Sequence, residues 1–244
     1  DAICDGKEVY IAGIMQHIEE AGIHSGDSSC VYPPYNLPLK SKTKIIEYTK
    51  KLALKLNTVG LINIQYALKN SVIYVIEVNP RASRTIPFIS KITNTPFAKY
   101  AAQVAMGEKL SKYKWSEKKS NLIAVKKPVF PFNKFPNQKV FLSPEMRSTG
   151  EVIGFDKHLG SAYAKAEIGA GNILPTKGRI FISVNDNDKN DVIKLSRDFS
   201  ELSFEIIATS GTASLLNDNG VACKEIYKFG EGRPNIVDSI KNKK

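Results

Sequence analysis

The stretch from Tyr74 to Thr85, YVIEVNPRASRT, runs from apolar residues into a carboxylate, an amide and two guanidiniums: Glu77, Asn79, Arg81 and Arg84. A carboxylate and amide oxygens on one sheet face are hard oxygen ligands of the kind that hold Mg²⁺ or Mn²⁺. Magnesium uses few protein carboxylates and completes its shell with water and substrate phosphate. Guanidiniums just past the strand end can hold such a phosphate through forked hydrogen bonds. The competing reading is a solvated strand face capped by surface arginines.

The element that must position these groups is a hairpin. Residues 61–68 (LINIQYAL) and 72–78 (VIYVIEV) are β-branched and aromatic-rich, with the three residues KNS between them. Alternation puts Leu61, Asn63, Gln65 and Ala67 on one face, and groups Ile73, Val75, Glu77 and Asn79 on the second strand. Pairing Leu68 with Val72 sets Asn63 opposite Glu77, with Gln65 on the diagonal. One polar patch of Asn63, Gln65, Glu77 and Asn79 results, and a one-residue slip would scatter it.

A second candidate is His24, in the polar turn before Ser25, Gly26 and Asp27. It is either an acid/base or phosphate-contacting group, or an ordinary loop histidine. The helical spacing of Val9, Ile11, Ile14, Met15 and Ile18 predicts a helix ending at Gly22, with His17 on it as a structural residue. No glycine-rich loop of the GxxxxGK[ST] type and no recognised Ser/His/Asp or Cys/His signature is present.

Residues 24–38 read as loop, and Ser41 to about Asn57 as a helix with lysines on its outer side. Residues 88–107 read as short helices broken at Pro96, 109–120 as a charged exposed stretch, and 124–156 as strand pieces between Pro and Gly. His158–Ile168 reads as helix and 169–178 as a linker. Beyond it the pattern is β-α-β-α, with strands at 179–184 and 204–209, a helix at Asp188–Ser203, a short helix ending at Gly220, and a third strand near 222–229. The fold class is therefore α/β: an α+β part, then a doubly wound parallel α/β domain. Carboxyl ends of parallel strands and helix N-termini bind anions. Lys189, Thr209, Ser210 and Thr212 would form a phosphate pocket there, with Lys228 adding charge. Helix capping by Asp188, Thr209 and Ser210 is the alternative, and the two are compatible.

The 244 residues are 42% apolar, enough for a packed core, and carry a net charge of +11. That balance favours anionic partners, but the lysines are dispersed and no helix-turn-helix, RRM-like or zinc-finger pattern accompanies them, so no nucleic-acid partner is expected. No apolar run is long enough to span a bilayer, so no membrane association is expected. Cys4, Cys30 and Cys223 show neither a disulfide framework nor metal spacing, which fits a reducing, cytoplasmic setting.

Three longer stretches carry a family resemblance: GIMQHIEEAGIHSGDSSC, IQYALKNSVIYVIEVNPRASRTIPFISK, and FPFNKFPN followed by LSPEMRSTGEVIG. They resemble the large chain of glutamine-dependent carbamoyl phosphate synthetase, in its second ATP-grasp unit. ISVNDNDK, FEIIATSGT and EGRPNIVD resemble the methylglyoxal-synthase-like regulatory domain that follows in that chain. The resemblance implies residues 1–170 as the C-terminal part of an ATP-grasp domain and 171–244 as a truncated regulatory domain. It implies ATP-dependent phosphorylation of carbamate within a synthesis from bicarbonate, glutamine-derived ammonia and two ATP. Gln65, Glu77 and Asn79 take the metal positions, and Gln65 and Glu77 approach ATP through the metals. Gly22, Ile23, His24 and Ser25 match the ATP-contacting turn. Arg81 and Arg84 match arginines beside the transferring phosphoryl group, and His17 resembles a residue near a K⁺ site.

Lys189, Thr209, Thr212 and Lys228 match the pocket for a nucleotide effector such as UMP or IMP. Glu19 and Asp27 match positions linked to ornithine activation. Against that, the family's Val-Lys-Glu segment is Val125-Lys126-Lys127 here, which puts ornithine control in doubt. The implied partners are a glutaminase small chain, the effector, and further copies of the chain. The family's adenine-binding strands, lid and phosphate loop precede the matched region, and an Asn-Thr-Thr run follows it, so this chain alone is expected to make no carbamoyl phosphate. Two alternatives remain: an effector-binding and oligomerisation module, or another ATP-grasp ligase such as a biotin-carboxylase relative.

Overall fold

The computed structural model describes residues 1–113, 115, 121–134 and 141–242. The chain divides into two compact units, Asp1–Ile173 and Leu174–Lys244.

The first unit opens with β1 (Ala2–Asp5) and β2 (Val9–Ile11), an antiparallel hairpin with Ala2 opposite Ile11. The helix expected over residues 9–22 is absent. Val9 and Ile11 are as compatible with period two as with helical spacing, and β-branched residues favour the strand. Asp5-Gly6 is the turn signal: Gly6 has φ +87°, and Asp5 Oδ1 accepts the Lys7 and Glu8 amides at 2.9 and 2.7 Å. The chain continues through β3 (Gln16–His17), which pairs with β4 (Cys30–Tyr32).

Helix α1 (Leu39–Lys55) follows, then the long hairpin of β5 (Val59–Lys69) and β6 (Val72–Asn79). Next come α2 (Thr85–Thr93) and α3 (Phe97–Ala105), broken at Pro96 as the sequence predicts. Strands β7 (Ile123–Val129) and β8 (Gly150–Asp156) and helix α4 (Leu159–Gly169) complete the unit. One sheet has the order β2-β1-β5-β6, and the other β3-β4-β7-β8.

The first sheet is covered on both faces. Ala2, Cys4 and Ile62 pack with Ala53 of α1. Ile3 and Leu61, on the opposite face, join Ile86, Ile89, Phe97 and Val104 of α2 and α3. Burying side chains of this size contributes about 1.5–3 kcal/mol each. The stretch 109–120 is not wholly exposed: Leu110 is buried, and Trp115 stacks on Tyr10 at 3.8 Å between ring centroids. Residues 114, 116–120 and 135–140 of the predicted elements lie outside the described residues. On the second sheet α4 lies against β8 at Gly154, where an added Cβ would fall 2.1 Å from the Ala162 carbonyl oxygen.

The second unit contains β9 (Arg179–Ile182), α5 (Lys189–Glu201), β10 (Glu205–Ala208), α6 (Ser210–Asp218), β11 (Cys223–Glu225) and α7 (Ile236–Lys241). Its three strands are parallel in the order β11-β10-β9. Ile182, Val192, Ile206, Ala208, Ala213 and Leu216 form a separate core.

Candidate metal and phosphate sites

The hairpin register differs from the sequence expectation. Lys69 pairs with Val72 and Leu68 with Ile73, so the connection is two residues, Asn70 and Ser71, with φ of 50° and 63°. Two left-handed residues in succession make the turn whose twist matches paired strands. Carried through without interruption, that register would set Gln65 against Ile76. A bulge intervenes: the partners shift between Tyr66↔Val75 and Gln65↔Glu77, leaving Ile76 as the extra residue. Beyond it Gln65 is directly opposite Glu77, and Asn63 opposite Asn79. Ile73 and Val75 consequently do not share a face with Glu77 and Asn79. They sit with Leu68 and Tyr66, on the side where Tyr66 bonds Thr49 of α1 at 2.9 Å.

The polar face therefore forms by a route the simple alternation did not contain. It is the continuation of the Ile3–Leu61 face, polar where α2 and α3 no longer cover it. Among the described residues, the side chains of Gln65, Glu77 and Asn79 have no hydrogen-bond or ion-pair partner. Asn63 differs: its Nδ2 donates to Asp1 Oδ1 at 2.9 Å. No group of three or more His, Cys, Asp or Glu suited to a metal occurs among the described residues. One carboxylate with two amide oxygens suits a hard cation that draws its other ligands from water and phosphate.

Past β6 the chain turns sharply, with the Arg81 amide donating to the Asn79 carbonyl at 2.8 Å. Arg84 is the residue immediately before α2, and Arg81 is exposed with Nη1 donating to the Ala82 carbonyl at 3.0 Å. Neither guanidinium is ion-paired among the described residues. The same turn is fixed by Asp1: Ser83 Oγ donates to Oδ1 at 2.7 Å, and Thr85 Oγ1 donates to Oδ2.

The His24 turn belongs to the other sheet and does not follow a helix. Gly22 has φ +112°, a conformation that favours glycine, and Ala21 and Ile23 form an isolated bridge. His24 Nδ1 accepts the Gly26 amide at 3.0 Å, and the His24 amide donates to the Ser143 carbonyl at 2.9 Å. Lys126, buried on β7, donates to the Ser25 carbonyl at 3.4 Å. His17 lies exposed on β3, opposite Cys30. Among the described residues no hydrogen bond or ion pair joins this turn to the hairpin face.

The acids near the turn are already engaged. Ser29 donates to Glu19 through its amide and, at 2.9 Å, its hydroxyl. Asp27 is fully buried and accepts the Arg147 and Ser148 amides at 2.7 and 2.9 Å. Burial alone would raise the Asp27 carboxyl, but bonds from the Ser148 hydroxyl and those two amides outweigh it and hold the group below the usual carboxylate range. A depressed carboxyl contributes stability above its unfolded value of about 3.9, and that contribution is lost as the pH falls through the lower folded value. Melting temperature is thus expected to fall less steeply between about pH 5 and pH 3 in Asp27→Asn than in the parent chain. Parallel pH profiles would contradict this. Lys127 pairs with Glu167 at 2.8 Å, and its ammonium lies 5.4 Å from the Tyr163 ring centroid.

In the second unit the predicted phosphate groups gather at the carboxyl edge of the strands. Lys189 opens α5, and its Nζ would lie 3.2 Å from a Cβ placed on Gly211, so it reaches the β10–α6 junction. Thr209 precedes α6, and Thr209 and Thr212 are buried there. Neither Asp188 nor Thr209 makes a side-chain capping bond. Lys228 is exposed after β11; Lys189, which pairs with Asp186 at 2.7 Å, and then Lys228 pull that carboxyl below its usual range. Sequence reasoning missed Asp1, Ser83 and Thr85, because residues so far apart in the chain carry no local signal of meeting.

Comparison with known proteins gives two family matches. Residues 4–113 match the carbamoyl-phosphate synthase L chain, ATP binding domain, and residues 191–244 match the MGS-like domain. The chain is 57% identical to the carbamoyl phosphate synthase large chain of Archaeoglobus fulgidus over 244 residues, covering 99% of this chain and 23% of that protein. It is 51% identical to the Pseudomonas syringae large chain over 243 residues, with the same two shares. It is 48% identical to the carbamoyl phosphate synthase large chain, C-terminal section, of Aquifex aeolicus, covering 99% of this chain and 48% of that protein. The chain thus spans about a quarter of the length of the large-chain relatives and about half of the Aquifex section.

Proposed function

We propose that the chain works within a glutamine-dependent carbamoyl phosphate synthetase, because residues 4–113 match the carbamoyl-phosphate synthase L chain, ATP binding domain, and residues 191–244 match the MGS-like domain. The first unit contributes the floor for ATP-dependent phosphorylation of carbamate, and the second binds a nucleotide effector. The observation that carries the reading is the bulge-set pair of Gln65 and Glu77, unpartnered beside Asn79, with Arg81 and Arg84 just beyond. The parent reaction consumes bicarbonate, glutamine-derived ammonia and two ATP, in the cytoplasm, with a glutaminase small chain as partner and self-association of the large chain.

Gln65, Glu77 and Asn79 would hold Mg²⁺ or Mn²⁺, which when bound neutralises phosphate charge. Glu77 supplies the one anionic ligand, so the site keeps net positive charge for the nucleotide. Arg81 and Arg84 hold the transferring phosphoryl group, where phosphoryl transfer depends on positioning and charge neutralisation. The Gly22, Ile23, His24 and Ser25 turn contacts ATP, with K⁺ near His17. The engaged Glu19 and Asp27, and Lys127 in place of an acid, argue against an ornithine site. The test for the first unit is ATP formation from carbamoyl phosphate and ADP by a full-length large chain carrying this sequence. Absence of that reaction overturns the reading.

For the second unit, calorimetry with UMP and IMP is expected to show binding by one of them. Lys189→Ala removes a charge-assisted bond of about 1.5–3 kcal/mol and should weaken it about 10–100-fold. No heat with either nucleotide removes the effector assignment. A narrower reading, an effector-binding and oligomerisation module alone, is favoured by the convergence of Lys189 on the α6 start.

A further inference from the structure

Asp1 lies where three separate parts of the first unit meet. Ala2 pairs with Ile62, so extending that ladder by one residue sets Asp1 beside Asn63. Asn63 in turn lies opposite Asn79. Asp1, Asn63 and Asn79 thus form one row across β1, β5 and β6, next to the row of Gln65 and Glu77. Asp1 shares this face with Ile3 and Leu61, because side chains alternate.

Its carboxylate accepts from three side chains on three elements. Asn63 Nδ2 comes from β5 at 2.9 Å, Ser83 Oγ from the turn after β6 at 2.7 Å, and Thr85 Oγ1 from the first residue of α2. Ser83 and Thr85 also lie 2.8 Å apart, oxygen to oxygen. Arg84 lies between the two bonded residues Ser83 and Thr85, and Arg81 lies two residues before Ser83, just past Asn79. Charge-assisted bonds to a carboxylate are stronger than neutral ones, and a negative group at the start of α2 is favoured by the helix dipole. Neither Arg81 nor Arg84 has an ion pair among the described residues that would hold its segment in place of this carboxylate.

We propose that Asp1 is a positioning residue: its carboxylate fixes the 80–85 turn against the Asn63/Asn79 row and so sets Arg81 and Arg84 over the Gln65/Glu77 ligand pair. The proposal rests on the metal reading of that pair. Asp1 acts through Asn63 and Ser83, which donate to Oδ1, and Thr85, which donates to Oδ2. Partners in such a supporting role typically change metal affinity about 10–100-fold when removed.

The experiment is NMR on the whole chain with Mn²⁺ as the probe. In the parent, Mn²⁺ is expected to broaden the resonances of residues 65, 77 and 79. In Asp1→Ala the Mn²⁺ needed should rise about tenfold, and amide exchange in residues 80–86 should quicken. Asp1→Asn keeps an acceptor for Asn63, and a hydroxyl can accept from its amide, so it should restore most of both. Ser83→Ala should give a partial effect. Glu77→Ala tests the metal reading separately: retained broadening there, or none in the parent, overturns that reading and the proposal with it. If Glu77→Ala loses the broadening while Asp1→Ala leaves Mn²⁺ affinity unchanged, the metal reading stands and the positioning role falls. Faster exchange without an affinity change also removes the positioning role, because a merely structural tether would do that much.

Discussion

Glu77→Ala in a full-length large chain carrying this sequence is expected to cut ATP formation from carbamoyl phosphate and ADP by about 10³-fold. Glu77 is exposed and without a partner among the described residues, so stability should shift by no more than about 0.5 kcal/mol. The split between lost turnover and an unchanged melting temperature makes the test specific. A carboxylate that merely solvates a strand would leave both unaltered. One holding the hairpin together would lower both. Retained turnover would show that the ligand assignment is wrong, whatever the family.

Gly154→Ala should do the reverse, damaging the fold at a position whose near neighbours are Ala162 and Ala166 of α4. An added Cβ would sit 2.1 Å from the Ala162 carbonyl and 2.6 Å from the Ala166 amide nitrogen. These are backbone atoms of α4 and cannot rotate away, so the helix must lift from β8. That opens the cluster of Val31, Val125, Ala162 and Ala166. Overpacking of this kind costs about 2–3 kcal/mol or more, which lowers the melting temperature by about 5–10 °C in a chain of this size. A melting temperature within about 2 °C of the parent would show that α4 moves freely over the sheet. Gly154→Ala is expected to leave Mn²⁺ broadening at residues 65, 77 and 79 intact in the folded fraction.

The two substitutions separate what local sequence can specify from what it cannot. The β5–β6 hairpin, α1 and the break at Pro96 follow from period, β-branching and proline chemistry, all local. The alternating strands and helices of the second unit follow from the same signals, which by themselves put Lys189, Thr209 and Thr212 at strand ends. The family resemblance comes from longer stretches, above all the run from Glu77 to Arg84.

Sequence and structure part where local signals are ambiguous or silent. Val9 and Ile11 fit two periods at once, and pairing with β1 selects the strand, while Gln16 and His17 pair with β4. The hairpin register differs because Lys69 joins the ladder, and Asn70 and Ser71 alone take the left-handed turn. The bulge at Ile76 then returns Glu77 and Asn79 to the face of Gln65. No pattern of alternation contains that step, because a bulge breaks the alternation. Asp1 is the clearest case. Sequence determined that a carboxylate, an amide and two arginines lie close along one strand end. Only the tertiary structure decided that a carboxylate 84 residues from Thr85 would bind the turn bearing those arginines, because a hydrogen bond depends on distance in space and leaves no trace in residue spacing.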